Sequence, residues 1–467
     1  MALIPSFARS GAGGGIRMRS DQESRVTQHD SILEKFVGEV LAHVKAKQMH
    51  NEIRAELQDH LLNEIEYGMD RGMDEAATAQ QAVRNMGEPS VVAAQFNQVH
   101  RPKAPWKLWI SVLVWIAICV VGLFAVQVGN PQDNYRLSAE GYAWRLVPGV
   151  VAFLFAFWAG YLKLQQEAAW IYGITLCLNV YTVFFPVYII NGYPQFGLKV
   201  IPIFGDIPID IFYMSPYLYL FSLYSMWNRK PENMHRAIFP KTVLFILPII
   251  VLLVNGNLLQ VSTYLVGGII VFKLAGVERK NIATVAGIML MAGGLYYWFI
   301  ENPGLMVNRR FGDWFEGFWD NEDGAYTQKI AQQLFHEAGW FGNGVENIRR
   351  LLPFLDSENL TVTIVHMFGW AGGLVLIICL GVIIVTMYNS ALLFRDPFAR
   401  GIGILVSGMM GNQSLLYIGG IIGIVPITGA GLPLLGSDGS EIVLWMLLLG
   451  LYSSAYWNKD MVPVLNR

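Results

Sequence analysis

A helix needs about 20 apolar residues to cross the hydrocarbon core of a bilayer, and most of this chain is divided into pieces of about that length. Ten apolar segments follow Lys107, at 107–127, 144–163, 168–190, 209–227, 238–254, 257–276, 282–300, 360–387, 401–426 and 441–456. Backbone polar groups inside lipid must be satisfied within the segment, so these segments are expected to be helices rather than open strands. Composition agrees: 54% of the 467 residues are hydrophobic and 15% charged, against roughly 25% charged in soluble domains. The fold class expected is all-α, a polytopic membrane protein of about ten transmembrane helices with a small helical domain ahead of them. Net charge is −2, which gives no general attraction for nucleic acid. Cys119, Cys177 and Cys379 lie in apolar runs without metal-ligand spacing, so burial is expected of them rather than redox work.

Residues 1–30 are Gly-rich at 11–15 and have no continuous apolar run. They are expected to be a disordered tail without a cleavable signal peptide, and Met18 is an equally good start. Residues 31–100 read as a cytoplasmic helical domain. Ile32, Leu33, Phe36, Val40 and Leu41 share one helical face; Ile53, Leu57, Leu61 and Ile65 share another. A third helix is expected from Asp74 to Gly87.

Basic residues set the expected orientation. Arg101, Lys103 and Lys107 precede the first span. Arg229, Lys230, Arg236 and Lys241, then Arg279 and Lys280, then Arg395 and Arg400, occupy turns that fall on one side when ten spans are threaded in order. The positive-inside rule makes that side the cytoplasm, with both termini there and the tail 458–467 cytoplasmic. The turn at 301–359 is then external. It far exceeds the usual connection of about 4–6 residues, and Trp314, Phe315, Phe318, Trp319, Trp340 and Phe341 make it aromatic. Loops of that length are functional or disordered, and aromatic density argues against disorder.

Across 310–372, from that loop into the span that follows, Tyr326 and Gln328, "GWFGNG" at 339–344, Pro353, and Gly369 and Gly372 are collinear with a pattern. A second pattern occupies 413–441, "QSLLYIGGIIGIVPITGAGLPLLGSDGSE", in Gln413, Gly419, Gly423, Pro426, Thr428, Gly429, Leu432, Pro433, Gly439 and Ser440. Together they resemble the SEDS family, to which RodA, FtsW and SpoVE belong, over about 107–457. The module at 31–98 is similar to the permease-prefix domains of some Gram-positive membrane proteins. The resemblance implies a peptidoglycan glycosyltransferase that polymerises lipid II, or a related lipid-linked precursor, at the outer face of the cytoplasmic membrane in division, elongation or sporulation. It also implies a class B penicillin-binding protein (a transpeptidase) as partner, beside the membrane lipids.

Counting back from Gly372 without a gap places Glu358 at the family's catalytic Asp, Ser357 at its Thr and Asp356 at its His. In the implied reaction a sugar hydroxyl attacks an anomeric carbon that carries a lipid pyrophosphate. Glu358 would accept the hydroxyl proton as general base. Charge on the departing pyrophosphate would be met by Arg309, Arg310, Arg349 and Arg350, whose planar forks suit phosphate oxygens, or by a divalent cation; no other cofactor is implied. Asp356, Ser357 and Gln413 complete the expected substrate contacts.

The chain departs from the pattern in several places. The family's "P-E" is Pro353-Phe354, its "E-E" is His366-Met367, and its "P-S-E-x-x-K" aligns with "PYLYLF" at 216–221, which lacks both charges. The same residues also suit plainer structural roles. Glu358 and Asp356 could cap the helix that starts near 360, the arginine pair could face solvent or headgroups, His366 could be a packing residue, and Gly419, Gly420 and Gly423 could serve close helix packing. A scaffold or regulator of cell-wall synthesis is the alternative to an enzyme. A flippase is a third reading, opposed by how few ionisable residues the spans carry.

Overall fold

In the computed structural model the placement of residues 31–46, 49–99, 102–129, 139–185, 188–190, 193–197, 208–228, 238–255, 258–277, 287, 326–344, 358–426, 431–436 and 438–460 is described. These residues divide into two compact units at Lys103, with the stretch from Asn458 belonging to the first.

The first unit is built from α1 (31–43), α2 (His50–Met69), α3 (Glu75–Met86) and α4 (Pro89–Val99). Leu33, Phe36, Val37, Val40 and Leu41 pack with Ile53, Leu57, Leu61 and Ile65 in one core, closed by Ala79, Ala82, Val92 and Ala93. The fourth helix goes beyond the three expected. Gly87 does end α3, at φ 87, but Pro89 restarts the chain at a first helical position, where its missing N–H costs nothing.

The second unit holds the apolar helices and the amphipathic α11: α5 (Trp106–Gly129), α6 (Ala139–Gln166), α7 (Ala168–Phe184), α8 (Ile211–Asn228), α9 (Ile238–Asn255), α10 (Leu258–Leu274), α11 (Tyr326–Glu337), α12 (Leu360–Leu392), α13 (Pro397–Ile422) and α14 (Gly439–Trp457). Nine of the ten expected spans are helices at their expected places, the one expected at 168–190 ending as a helix at Phe184; of the segment 282–300 all but residue 287 lies outside the described residues. Between α7 and α8 the chain forms a small antiparallel sheet, which the all-helical expectation did not contain. It consists of β1 (Tyr188–Ile190), β2 (Tyr193–Gly197) and β3 (Pro208–Ile209), in the order β1-β2-β3.

Among the described residues, Trp106–Val128, Glu140–Gln166 and Leu360–Leu392 are the stretches long and apolar enough by themselves to cross a membrane. The difference from the more polar helices follows from packing. α5 and α6 present exposed Ile110, Leu113, Phe124, Leu154 and Trp158, as a lipid-facing surface requires. α8 packs against α7, α10, α9, α14 and α13, and from Phe212 to Ser225 every residue except Leu218 is buried. A helix wrapped by other helices can carry serine and tyrosine because protein groups, not lipid, answer them. α14 packs along α6, and α12 lies between α5 and α13.

Candidate functional site at the loop end of the bundle

The starts of α8, α12 and α14, the end of α13, and α11 meet at one end of the second unit. Glu358 is half-buried at the lip of α12, and its backbone carbonyl accepts a hydrogen bond from the Tyr417 hydroxyl on α13 at 2.9 Å. The N-cap of α12 is Asn359, whose side chain makes no cap hydrogen bond. Its carbonyl receives the Thr363 amide at 3.0 Å and the Thr363 hydroxyl at 2.9 Å. Arg309, Arg310, Arg349, Arg350, Asp356 and Ser357 lie outside the described residues.

The two halves of the loop pattern turn out to be one physical object. α12 is broken at Gly369, where φ is 75 and ψ −175. Residues 339–344 fill the break. Asn343 N–H donates to the His366 carbonyl at 2.9 Å and Gly344 N–H to the Met367 carbonyl at 3.2 Å. In return Trp370 N–H donates to the Gly339 carbonyl at 2.9 Å and Ala371 N–H to the Trp340 carbonyl at 3.2 Å. At the break the loop thus answers two carbonyls and two amides of the helix. Glycine is needed on both sides of this clamp. A Cβ on Gly369 would lie 2.3 Å from the Trp340 carbonyl oxygen, and one on Gly342 would lie 2.2 Å from that of Met367. "GWFGNG" is therefore a backbone clasp. His366 is buried beneath it, with Nδ1 3.5 Å from the Leu334 carbonyl.

α11 is tied to the end of α13. Gln328 Nε2 donates to the Gly420 carbonyl at 2.8 Å and Gln332 Nε2 to that of Ile421 at 3.4 Å. These carbonyls belong to the last turn of α13, where helical partners run out; the Gly420 carbonyl is shared with the C-cap amide of Gly423 at 3.3 Å. The expected Tyr-Gln match thus includes a residue that anchors the loop.

Gln413 sits at the centre of a second arrangement. Its Oε1 accepts from the hydroxyls of Tyr213 and Tyr217 on α8, each at 3.1 Å. Its Nε2 donates to the Gly431 carbonyl at 3.0 Å and to Glu441 Oε1 at 2.7 Å. An amide side chain has two donor hydrogens and two acceptor positions, so all four of its bonds are made within the protein. Gln413 joins α8, α13, α14 and the turn at 431–436, and a contact with substrate would have to exchange one of these bonds. The turn is held from other sides as well. Trp115 Nε1 donates to the Pro433 carbonyl at 2.8 Å and Tyr142 to that of Leu434 at 3.4 Å. Leu434 has φ 59, a conformation that costs a residue with a Cβ about 1–2 kcal/mol. Asp438 caps α14, its Oδ1 accepting from Ser440 N–H at 2.8 Å and from Glu441 N–H at 3.3 Å. Ser440 Oγ accepts from Asp210 N–H at 2.9 Å, which locks the start of α8 to the start of α14.

Sequence reasoning did not single out Glu441, Tyr213 or Tyr217. The available signal was Glu441 in an apolar helix, where an ionisable group needs a partner. Among the described residues no group of three His, Cys, Asp or Glu side chains is placed to hold a metal ion.

A helical membrane bundle with a clasped, polar loop end is the class of protein these features define. The chain belongs to the FtsW/RodA/SpoVE family of cell cycle proteins, whose model matches residues 104–460. A probable peptidoglycan glycosyltransferase FtsW of Pasteurella multocida is 24% identical over 189 residues, which cover 39% of this chain and 48% of that protein. The chain thus spans about half the length of that curated relative. Among solved structures, a chain of a peptidoglycan synthase complex described as coordinating polymerization and crosslinking has a TM-score of 0.60 at 19% identity, covering 74% of this chain and 97% of its own. The rod shape determining protein RodA of Thermus thermophilus gives a TM-score of 0.55 at 17% identity, covering 76% and 97%. Both share the fold.

Proposed function

We propose that this protein polymerises a lipid-linked glycan precursor of the lipid II class at the outer face of the membrane, with Glu358 as general base. The observation that carries this reading is the lip of α12. Glu358 stands there half-buried, its main chain is pinned by Tyr417, and the helix behind it begins without a side-chain cap. The carboxylate takes the proton from the acceptor hydroxyl as that oxygen bonds to the anomeric carbon. The bond from that carbon to the pyrophosphate oxygen breaks, and the lipid pyrophosphate leaves with the electron pair. Arg310, Arg349 and Arg350 are proposed to meet its charge, with Asp356 and Ser357 positioning the sugars. The basic turns support an orientation with the loop end outside and both termini, with the helical first unit, in the cytoplasm. The polymerising and crosslinking complex that shares the fold supports a transpeptidase of the class B penicillin-binding type as partner.

A scaffold role is the second reading. What favours it is that α8 carries no charged residue, and its Tyr213 and Tyr217 are locked to Gln413. Purified protein with labelled lipid II separates the two. Polymer that is lost in Glu358→Gln supports the enzyme. Binding of lipid II or of the transpeptidase without any polymer replaces it with the scaffold.

A further inference from the structure

The bend at Gly369 divides α12 into two lengths with different surroundings. None of the residues from 361 to 367 is exposed, and Val362, Ile364, Val365 and Met367 are buried in protein. From Phe368 onward large apolar side chains are exposed in every turn: Trp370, Leu374, Val375, Ile377, Ile378, and so on to Leu393. The exposed Arg395 follows. This is the lipid-facing band of the helix, and its length can be checked. α12 has 33 residues, about 50 Å at 1.5 Å per residue, which exceeds the hydrocarbon core by about 20 Å. About 20 residues counted back from Leu393 reach Gly373. The hydrocarbon edge on the loop side therefore falls within about one turn of the bend, and the interfacial layer covers the bend itself.

The clamp places the tip of the loop at that level. Gly339 and Trp340 pair with Trp370 and Ala371, and Asn343 and Gly344 with His366 and Met367. The two residues at the tip, Trp340 and Phe341, are 67% and 88% exposed. Beside them Trp370 stacks on Phe335 of α11, with ring centroids 5.4 Å apart. The polar face of α11, with Gln333, His336 and Glu337, is exposed as well. An exposed Trp-Phe pair continuous with a lipid-facing band, at the depth where aromatic side chains concentrate in membrane proteins, has one surface that suits it.

We infer that Trp340 and Phe341 insert into the interfacial layer of the leaflet on the loop side, and that the clamp at Gly369 thereby pins the loop to the bilayer surface. The occupant of this patch is lipid, at the boundary of headgroups and acyl chains. The inference does not depend on glycosyl transfer, because it concerns where the loop rests and not what it catalyses.

The test is photocrosslinking of the full chain in nanodiscs of phosphatidylcholine and phosphatidylglycerol. Phe341→p-benzoylphenylalanine keeps an aromatic ring at the tip; the same replacement of His336 probes the polar face of α11. A mass increase of one lipid at 341, and none above background at 336, is expected. Equal or absent lipid adducts at 341, or a polypeptide adduct in its place when the variant is irradiated in cells, would overturn the inference. Should the photoprobe disturb folding, fluorescence of the unmodified chain still decides. The emission lost in Trp340→Phe must be blue-shifted and quenched by lipids brominated near the top of the acyl chain. Emission characteristic of water, insensitive to the brominated lipid, defeats the inference.

Discussion

Two helices at the loop end begin beside acids, and they begin differently. At α14 the Asp438 carboxylate accepts the amides of Ser440 and Glu441 at 2.8 and 3.3 Å. The first amides of a helix have no partners within it, so this acid is accounted for by the helix it starts. At α12 an equally acidic approach, Asp356-Ser357-Glu358, ends in Asn359, which makes no side-chain cap bond. What ties this lip down is the hydroxyl of Tyr417 on the Glu358 backbone carbonyl. A carboxylate before a helix thus has two uses, and position in sequence does not distinguish them. Amide isosteres do, because Gln or Asn retains an acceptor and removes the base.

The largest expected effect follows from that distinction. Glu358→Gln should lower polymer yield from lipid II by about 10²–10⁴, the usual worth of a positioned general base. Asp356→Asn should lower it less, and Glu358→Asp should retain activity, since each keeps a carboxylate at 358. Glu358→Gln at wild-type yield and matched membrane levels would make the α12 acid the same kind of residue as Asp438.

The next effect concerns stability. Gln413→Ala removes the acceptor for Tyr213 and Tyr217 and the donor to Gly431 and Glu441. Each buried group left without a partner costs about 1–3 kcal/mol, so several kcal/mol should be lost. Thermal unfolding in detergent would show this. A loss under about 1 kcal/mol would mean that water replaces the side chain and that the site is wetter than its burial implies.

The clamp comes third. Gly369→Ala costs about 1–3 kcal/mol from its backbone alone, since φ 75 with ψ −175 is a region open essentially to glycine, and its new Cβ meets the Trp340 carbonyl at 2.3 Å, so the loop must part from the helix. Hydrogen exchange at Asn343, Gly344, Trp370 and Ala371 should accelerate. Gly381→Ala on the same helix, where nothing lies within 4 Å of the new Cβ, should leave all four amides protected.

Much of this architecture was legible in the sequence, for identifiable reasons. Nine spans announced themselves because lipid imposes length and apolarity on a helix, and the core of the first unit followed the spacing of Leu33, Phe36, Ile53 and Leu57. α4 was missed because Pro89 reads equally well as a stop and as a first helical residue. The sheet after α7 was missed because its strands are only 3, 5 and 2 residues long, too short for alternation to register. At the site, periodicity reported that Gly369 and "GWFGNG" were unusual but not that they touch, since hydrogen bonds across 23 and 31 residues leave no local pattern. Glu441 was hidden for a related reason: its partner Gln413 is 28 positions away.

The smallest effect is the sharpest on the opening comparison. If Asp438 serves α14 only as a cap, its charge is dispensable and its acceptor is not. Asp438→Asn keeps an oxygen in reach of the Ser440 and Glu441 amides. It gives up part of the attraction to the helix dipole, worth about 0.3–1 kcal/mol, and it also removes a negative charge near the buried carboxylate of Glu441. These changes oppose each other, so stability should stay within about 0.5 kcal/mol of wild type. Asp438→Ala removes the acceptor itself and should cost about 1 kcal/mol, the ordinary price of an N-cap. Denaturation of the three proteins in one detergent at one salt concentration gives the order: wild type and Asn together, Ala below. The same isosteric change that leaves stability nearly unchanged at 438 should lower turnover by about 10²–10⁴ at 358. If Asp438→Asn falls as far as Asp438→Ala, the carboxylate of Asp438 matters for its charge, and α14 then begins beside a second acid that its helix does not explain.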